Sequence, residues 1–237
     1  MDQPAGQLTG SSDVSLGDAF TWASRDPSWI SKVLIMGLIG LIPIVGALQL
    51  IGWMLAGLDN LRTGRQELPQ AGFRYASRGV WLFLAGLIYG VVILVVFYAV
   101  LGLMVVALTA FTPPSTNSSA GQSGFSLIVF PLMFGFLGLF GLLSVVLFLF
   151  VPLVIEFTDR KALRGAFDIG GFIRAIRNSP RETLAAGALA LVAYLISGIG
   201  TYLCWVGVIF TFPYALTILA GVLRWYELKA KPGALTA

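Results

Sequence analysis

The chain has 237 residues, of which 57% are hydrophobic and only 11% are charged, with a formal net charge of +4. A soluble domain carries about 25% charged residues, so this composition excludes an ordinary soluble fold and predicts a polytopic membrane protein. Long continuous apolar segments favour helices over a β-barrel. The sequence has no histidine and a single cysteine, Cys204, so it lacks the commonest general base and metal ligand and cannot form an internal disulfide.

The N-terminal 24 residues predict a tail and a short helix. Residues 1–13 are rich in Gly, Ser, Gln and Pro and are expected to be disordered. A helix over 14–24 places its apolar residues on one face, but at about three turns it is too short to span a membrane. Two interpretations stay open. Either Phe20 and Trp22 insert into lipid and the helix is interfacial, or the helix packs on the rest of the protein.

Asp26-Pro27 predicts the start of a helix, with Asp as N-cap and Pro at the first helical position. The apolar stretch 29–58 follows, and Pro43 and Gly46 are predicted to break it. A turn here makes a shallow or re-entrant hairpin, because each arm is shorter than the ~30 Å hydrocarbon core requires. The alternative is one kinked span.

The segment 79–155 contains no Asp, Glu, Lys or Arg, and an arginine-rich loop, 59–78, precedes it. Its two long apolar stretches, 80–108 and 125–154, predict a transmembrane helical pair joined by a polar linker. Small residues let helices approach closely in lipid, so five glycines of this pair are predicted to mediate helix packing. They are Gly86, Gly90, Gly135, Gly138 and Gly141.

The segment 159–178 combines apolar residues with five basic ones, Arg160, Lys161, Arg164, Arg174 and Arg177. It predicts a second amphipathic helix on the membrane surface, and its five basic residues are candidates for binding anionic lipid headgroups. The alternative is the ordinary positive charge that flanks a membrane span.

Ser179-Pro180-Arg181-Glu182 has the spacing of a helix start with a capping box. The uncharged stretch 183–223 is too long for one crossing, so it predicts a second broken hairpin. Gly198 and Gly200 are the predicted helix breaks, within 198–205. A short C-terminal tail, 229–237, follows.

Together these elements predict an all-α, polytopic transmembrane helical bundle with about six membrane-embedded segments. The long central pair, 79–155, is flanked by two broken or re-entrant hairpins, and two interfacial amphipathic helices complete a single transmembrane domain, 14–228. Segments 14–78 and 160–228 have the same order of elements, so they are a possible parallel repeat around the central pair. The distribution of Lys and Arg places both termini in the cytoplasm and 109–124 outside.

Four motifs carry a family resemblance: Asp18-Ala19-Phe20, Arg25-Asp26-Pro27-x-Trp29, the stretch from Leu41 to Gly46, and Leu68-Pro69. They resemble an uncharacterised prokaryotic family of multi-pass membrane proteins, domain of unknown function 4013. The resemblance implies a location in the prokaryotic cytoplasmic (inner) membrane and a break at the Pro-Gly motif. It implies no activity and no catalytic residues.

The sequence has no charged residue inside a predicted span except Lys32, near the start of 29–58, and no motif for nucleotide or metal binding. We therefore expect no enzyme, no cofactor and no nucleic-acid partner. The first hypothesis is a non-catalytic membrane protein: a scaffold, an accessory subunit of a membrane complex, or a bilayer-shaping protein. Its partners would be the lipid bilayer and other membrane subunits or a second copy. The alternative is a passive channel or carrier for an uncharged or lipid-like substrate.

Overall fold

The computed structural model describes residues 16–111, 119–202 and 206–230, and within them the side chains of 107–129 and 206 are not described. Predictions for the tail 1–13, most of the tail 229–237, the linker at 112–118 and Cys204 fall outside these ranges. The described residues form helices and turns and contain no strand. The predicted all-α class is therefore confirmed for this part of the chain.

The described chain is a succession of helices with short connections. A 3₁₀ helix, Trp22–Arg25, follows the first of them. The α-helices are α1 (Leu16–Thr21), α2 (Trp29–Gly40), α3 (Val45–Arg62), α4 (Ala76–Phe111), α5 (Ser119–Leu149), α6 (Val151–Lys161), α7 (Leu163–Ala166), α8 (Ile169–Asn178), α9 (Pro180–Tyr202) and α10 (Val206–Lys229).

Four of these helices are long and apolar enough to cross a membrane. The candidate spans are Ala76–Val106, Phe130–Leu149, Pro180–Tyr202 and Gly207–Lys229. The chain thus has the helices of a membrane protein. α2 is apolar but has only 12 residues, and α3 is not among the four candidates.

α2 and α3 are separate helices joined by a tight turn at 41–44, with Pro43 inside it. Ile44 has φ +64° and ψ −59°, and Val45 N donates to Pro43 O at 2.6 Å, which is a strained γ-turn. Gly46 follows in the first turn of α3, where any Cβ would collide with the backbone of Ile39. Pro43 is therefore the break, and Gly46 lets the two helices meet.

The chain reverses direction at this turn. Lys32, near the start of α2, donates from Nζ to the carbonyl oxygen of Leu68, which follows α3, at 2.9 Å. The loop after α3 then runs back along that helix: Trp53 Nε1 donates to Pro69 O at 3.0 Å, and Tyr75 N donates to Gln49 Oε1 at 2.8 Å. The structure thus has two arms here and not one kinked helix.

α9 begins at Pro180, as its capping motif predicts. α9 ends at Tyr202, inside the predicted break region 198–205, but Gly198 and Gly200 do not themselves break the helix, because α9 continues through both. Gly200 serves instead as a close contact, since a Cβ there would collide with Thr211 of α10. α9 and α10 also join through the hydroxyl groups of Thr183 and Tyr226, which lie 3.0 Å apart.

α1 and the 3₁₀ helix pack on the protein. Ala19, Trp22 and Ala23 are buried, and Trp22 Nε1 donates to Thr217 O of α10 at 2.9 Å. Of the two interpretations given above for the first short helix, this contact supports the one in which the helix packs on the rest of the protein. Trp22 is a core residue and does not insert into lipid, because its indole N–H finds a buried carbonyl partner.

A single helix was expected over 159–178. The prediction is wrong, because the segment is divided between the end of α6, α7 and α8. Ala162 lies at φ +53° between α6 and α7, a conformation that ends a helix. Asp168 then caps α8, with Oδ1 accepting from Gly171 N at 2.8 Å. Within this segment α8 has 10 residues, of which Gly171 and Ala175 are buried.

The five predicted packing glycines of α4 and α5 contact no other helix in the described structure. A Cβ added to any of them would meet no atom within 4 Å. α4 and α5 instead meet through aromatic rings, with the centroid of Phe97 lying 5.6 Å from that of Phe136 and 4.8 Å from that of Phe140. These large side chains hold the backbones apart, so small residues are not needed at this contact.

Candidate functional site

Eight charged side chains from α3, α4, α6 and α10 converge at one end of the bundle. We call them the charged network: Asp59, Arg62, Arg78, Glu156, Asp159, Arg160, Arg224 and Glu227. Its four carboxylates and four guanidinium groups balance in charge. Because the three acidic residues Glu156, Asp159 and Glu227 are nearly inaccessible, at 0%, 2% and 6% side-chain exposure, each needs a cationic partner.

Arg62 at the end of α3 is the centre of the network. Its Nη1 lies 2.7 Å from Asp159 Oδ2 and 3.0 Å from Asp59 Oδ1, and its Nε donates to Glu227 Oε1 at 2.8 Å. Burial alone would lower the pKa of Arg62, but the hydrogen bonds and charges of Glu227 and Asp159 outweigh burial and raise it. The planar guanidinium can join several carboxylates at once, which an ammonium group cannot do with fixed geometry.

The other arginines enclose the same carboxylates. Arg78 of α4 lies 3.1 Å from Asp59 Oδ2 and 2.5 Å from Asp159 Oδ1. Arg160 Nε lies 2.5 Å from Glu156 Oε1, one helical turn away on α6. The network therefore ties the α2–α3 arm, the α9–α10 pair and the central helices into one body.

Glu156 is the least solvated member. Its burial, and next the charge of Glu227, raise the pKa of Glu156 to about 7, while Arg160 and Arg62 oppose this rise. Its Oε2 is buried and accepts no hydrogen bond from the described residues, although Arg62 Nη2 lies 3.6 Å away. Glu156 can therefore take up a proton near neutral pH.

Asp26 forms a second polar centre, beside the start of α2. α2 begins at Trp29 with Ser28 as its N-cap residue, so Asp26 is not the predicted cap. Its Oδ2 accepts from Lys32 Nζ at 2.6 Å and from Leu68 N at 2.9 Å. Burial alone would raise the pKa of Asp26, but these bonds and those from Ser28 hold it at about 2. Asp26 thereby joins the Asp26-Pro27 and Leu68-Pro69 motifs.

The five residues predicted to bind lipid headgroups divide into two groups. Arg160 belongs to the charged network, and Lys161 pairs with Asp168 at 3.0 Å. The other three, Arg164, Arg174 and Arg177, are exposed and form no ion pair within the described residues.

An exposed apolar ridge lies beside these arginines. Phe167, Ile169 and Ile173 are 45%, 68% and 51% exposed. The ring of Phe167 stacks on Tyr89 of α4 with 5.4 Å between centroids, and the Tyr89 hydroxyl donates to Ala166 O. The end of α7 is therefore held against α4 near the middle of the candidate span Ala76–Val106.

The described residues contain no group of three or more His, Cys, Asp or Glu side chains arranged to hold a metal ion. Two cavities adjoin the charged network. One, of about 280 Å³, lies between α1 and the ends of α3 and α10, and the other, of about 230 Å³, lies between α3, α4 and α6.

Sequence reasoning did not find the charged network. Its members lie at helix ends and in separate segments, so no local motif joins them. The local signals were the helical spacings of Glu156 and Arg160, of Asp59 and Arg62, and of Arg224 and Glu227.

Comparisons with curated proteins and with solved structures gave no match. A comparison with protein families matched residues 35–223 to one whose description is Protein of unknown function (DUF4013). The matched region runs from within α2 to within α10 and includes three of the four candidate spans and most of the fourth, Gly207–Lys229. The Pro-Gly and Leu-Pro motifs that carried the resemblance lie within the matched residues. The family description carries no activity, and the chain belongs to this family.

Proposed function

We propose that the protein is a non-catalytic integral membrane protein of the prokaryotic cytoplasmic membrane, a scaffold that shapes the bilayer at its cytoplasmic surface. The observation that carries this proposal is the exposed apolar ridge of Phe167, Ile169 and Ile173 beside three exposed arginines, Arg164, Arg174 and Arg177. An apolar ridge flanked by cations inserts shallowly between lipid headgroups and displaces lipid in one leaflet.

α8 supports this role through its two faces. Gly171 and Ala175 are buried against the protein, and Phe172 packs on Phe157 with 5.2 Å between ring centroids. Ile169 and Ile173, four residues apart, lie on the opposite face. One face of α8 thus packs on the protein, and the opposite apolar face is free to contact lipid.

The membrane-embedded part has six segments in this proposal: the four candidate spans and the α2–α3 arms. α2 rises only about 18 Å and cannot cross a ~30 Å core. Its far end nevertheless lies beside the start of α10, since a Cβ at Gly37 would collide with Ile209 O. We therefore assign α2–α3 as a re-entrant hairpin, and the order of α1–α3 and α8–α10 as a parallel repeat.

Both termini face the cytoplasm in this arrangement. The charged network gathers Arg62, Arg160 and Arg224 on one side of the bundle, and cations concentrate on the cytoplasmic side. Single cysteines at Thr63 and Ser118, in a Cys204→Ala background, test this orientation. An impermeant thiol reagent on intact cells should label position 118 only, and labelling at position 63 would reverse the scheme.

Bilayer shaping is tested with purified protein in vesicles that contain or lack anionic lipid. The protein should tubulate or shrink the anionic vesicles, as seen by electron microscopy. Ile169→Asp with Ile173→Asp should abolish this effect, while Ile169→Leu with Ile173→Leu should preserve it. Arg174→Gln with Arg177→Gln should weaken the effect more than Arg65→Gln with Arg74→Gln, since each cation near an anionic surface contributes about 1 kcal/mol.

Two other results would contradict bilayer shaping. Vesicles that keep their size while a small neutral solute leaks would favour the passive channel or carrier. Vesicles that neither change nor leak would leave a scaffold that depends on other membrane subunits or on self-association.

A further inference from the structure

The cavity between α3, α4 and α6 combines charged and apolar walls. Arg78, Asp159 and Arg160 form its polar side, and Leu55, Trp81 and Leu82 form its apolar side. Its volume of about 230 Å³ admits a small polar group. We propose that this cavity binds the phosphodiester headgroup of one membrane phospholipid.

The two arginines are fixed in place and keep donors for a ligand. Arg78 is held by Asp59 and Asp159, and Arg160 is held by Glu156 through its Nε at 2.5 Å. Each side chain is 37% exposed, so its guanidinium is not enclosed by its carboxylate partners. A guanidinium has five N–H donors, and paired guanidinium groups of fixed position suit the oxygens of a phosphate.

The charge of the cavity favours a phosphodiester. Arg78 and Arg160 are the cationic residues of the wall and Asp159 is its acidic one, while Asp59 and Glu156, which pair with the two arginines, are not part of the lining. A phosphodiester carries one negative charge and is repelled less by these carboxylates than a doubly charged free phosphate. Asp159 Oδ1 is buried and lies 2.5 Å from Arg78 Nη1, so this carboxylate holds the guanidinium in position.

The depth of the cavity also suits a lipid. The candidate span Ala76–Val106 has 31 residues, about 46 Å of helix, and exceeds the ~30 Å core. Arg78, its third residue, therefore lies at the level of the headgroups. Trp81, 48% exposed one turn further, lies where indole rings favour the membrane boundary and can contact the glycerol and first methylenes.

The proposal rests on the membrane location proposed above, but not on bilayer shaping, and the two are tested separately. Native mass spectrometry of the full chain in detergent measures lipid binding without any bilayer. Phosphatidylglycerol should form a saturable one-to-one complex. Arg78→Lys and Arg160→Lys, which keep the charge but lose the paired donors, should each weaken binding about tenfold. Arg65→Lys, on an exposed loop, is the matched control and should have no effect.

Three results would overturn the proposal. The first is equal binding of a diacylglycerol with the same chains, which lacks the phosphate. The second is displacement of the lipid by equimolar inorganic phosphate, which would make free phosphate the ligand. The third is unchanged binding in Trp81→Ala. This last variant lies outside the charged network, so it decides the question even if the arginine variants fold poorly.

Discussion

Arg62 and Glu227 are 165 residues apart in sequence, and the Nε of Arg62 donates to Glu227 Oε1 at 2.8 Å. This contact joins the end of α3 to the end of α10. It lies among carboxylates that are almost fully buried, so it fixes the relative position of the two helices. Several consequences can be measured.

Arg62→Met should lower the free energy of unfolding by about 3–5 kcal/mol, because it leaves Asp159 and Glu227 buried without their central cation. Thermal or denaturant unfolding of the purified protein measures this loss. Arg65→Met removes the same charge from an exposed loop position and should change stability by less than about 0.5 kcal/mol. Equal effects of the two variants would contradict the central position of Arg62.

Glu156 should make stability depend on pH near neutrality. Its pKa is about 7 in the folded protein against an ordinary value of 4.5, so the folded state holds more protons than the unfolded state between these values. Stability should therefore fall as the pH rises through this window, by at most on the order of 3 kcal/mol.

Glu156→Gln should flatten this dependence, because the amide does not titrate. Unfolding midpoints of both proteins across the window measure the effect. Glu67→Gln, at an exposed position, should retain the wild-type slope. A stability that rises with pH in the wild type, or a slope that persists in Glu156→Gln, would exclude Glu156 as its source.

Ile44→Gly should raise stability by about 1 kcal/mol. Ile44 lies at φ +64° in the α2–α3 turn, where a β-branched residue is strained and glycine is not. Val45→Gly, one residue later in α3, removes a similar side chain at an ordinary helical position and should lower stability. The shift in thermal unfolding midpoint distinguishes the two, and a loss in both variants would contradict strain at Ile44.

Gly52→Ala should lower stability by about 1–3 kcal/mol, because its Cβ would collide with the carbonyl of Tyr75. Gly86→Ala faces open space in the described structure and should be neutral or stabilising, since alanine favours a helix. Unfolding of both variants tests the packing. A loss at Gly86 similar to that at Gly52 would mean that another chain covers this part of α4.

Particular elements show how much of the fold can be predicted from the sequence. The apolar stretches predicted α4, α5, α9 and α10, because a long uncharged segment has few alternatives to a helix in a membrane. Pro180 and Pro43 marked a helix start and a turn through the backbone constraints of proline. Gly200 was wrongly predicted to break α9, because a glycine that weakens an isolated helix also permits close packing, here against Thr211; Gly198 lies in α9 without such a contact.

The sequence by itself determined the all-helical class, the position of the candidate spans and the family, since hydrophobic length and proline act locally along the chain. Only the tertiary structure decided that Trp22 packs on α10, because lipid and a protein core are equally apolar to its ring. Only the tertiary structure joined Arg62 to Glu227 and Asp159. The partner of a buried charge depends on which helix ends meet in space, and no local pattern encodes that meeting.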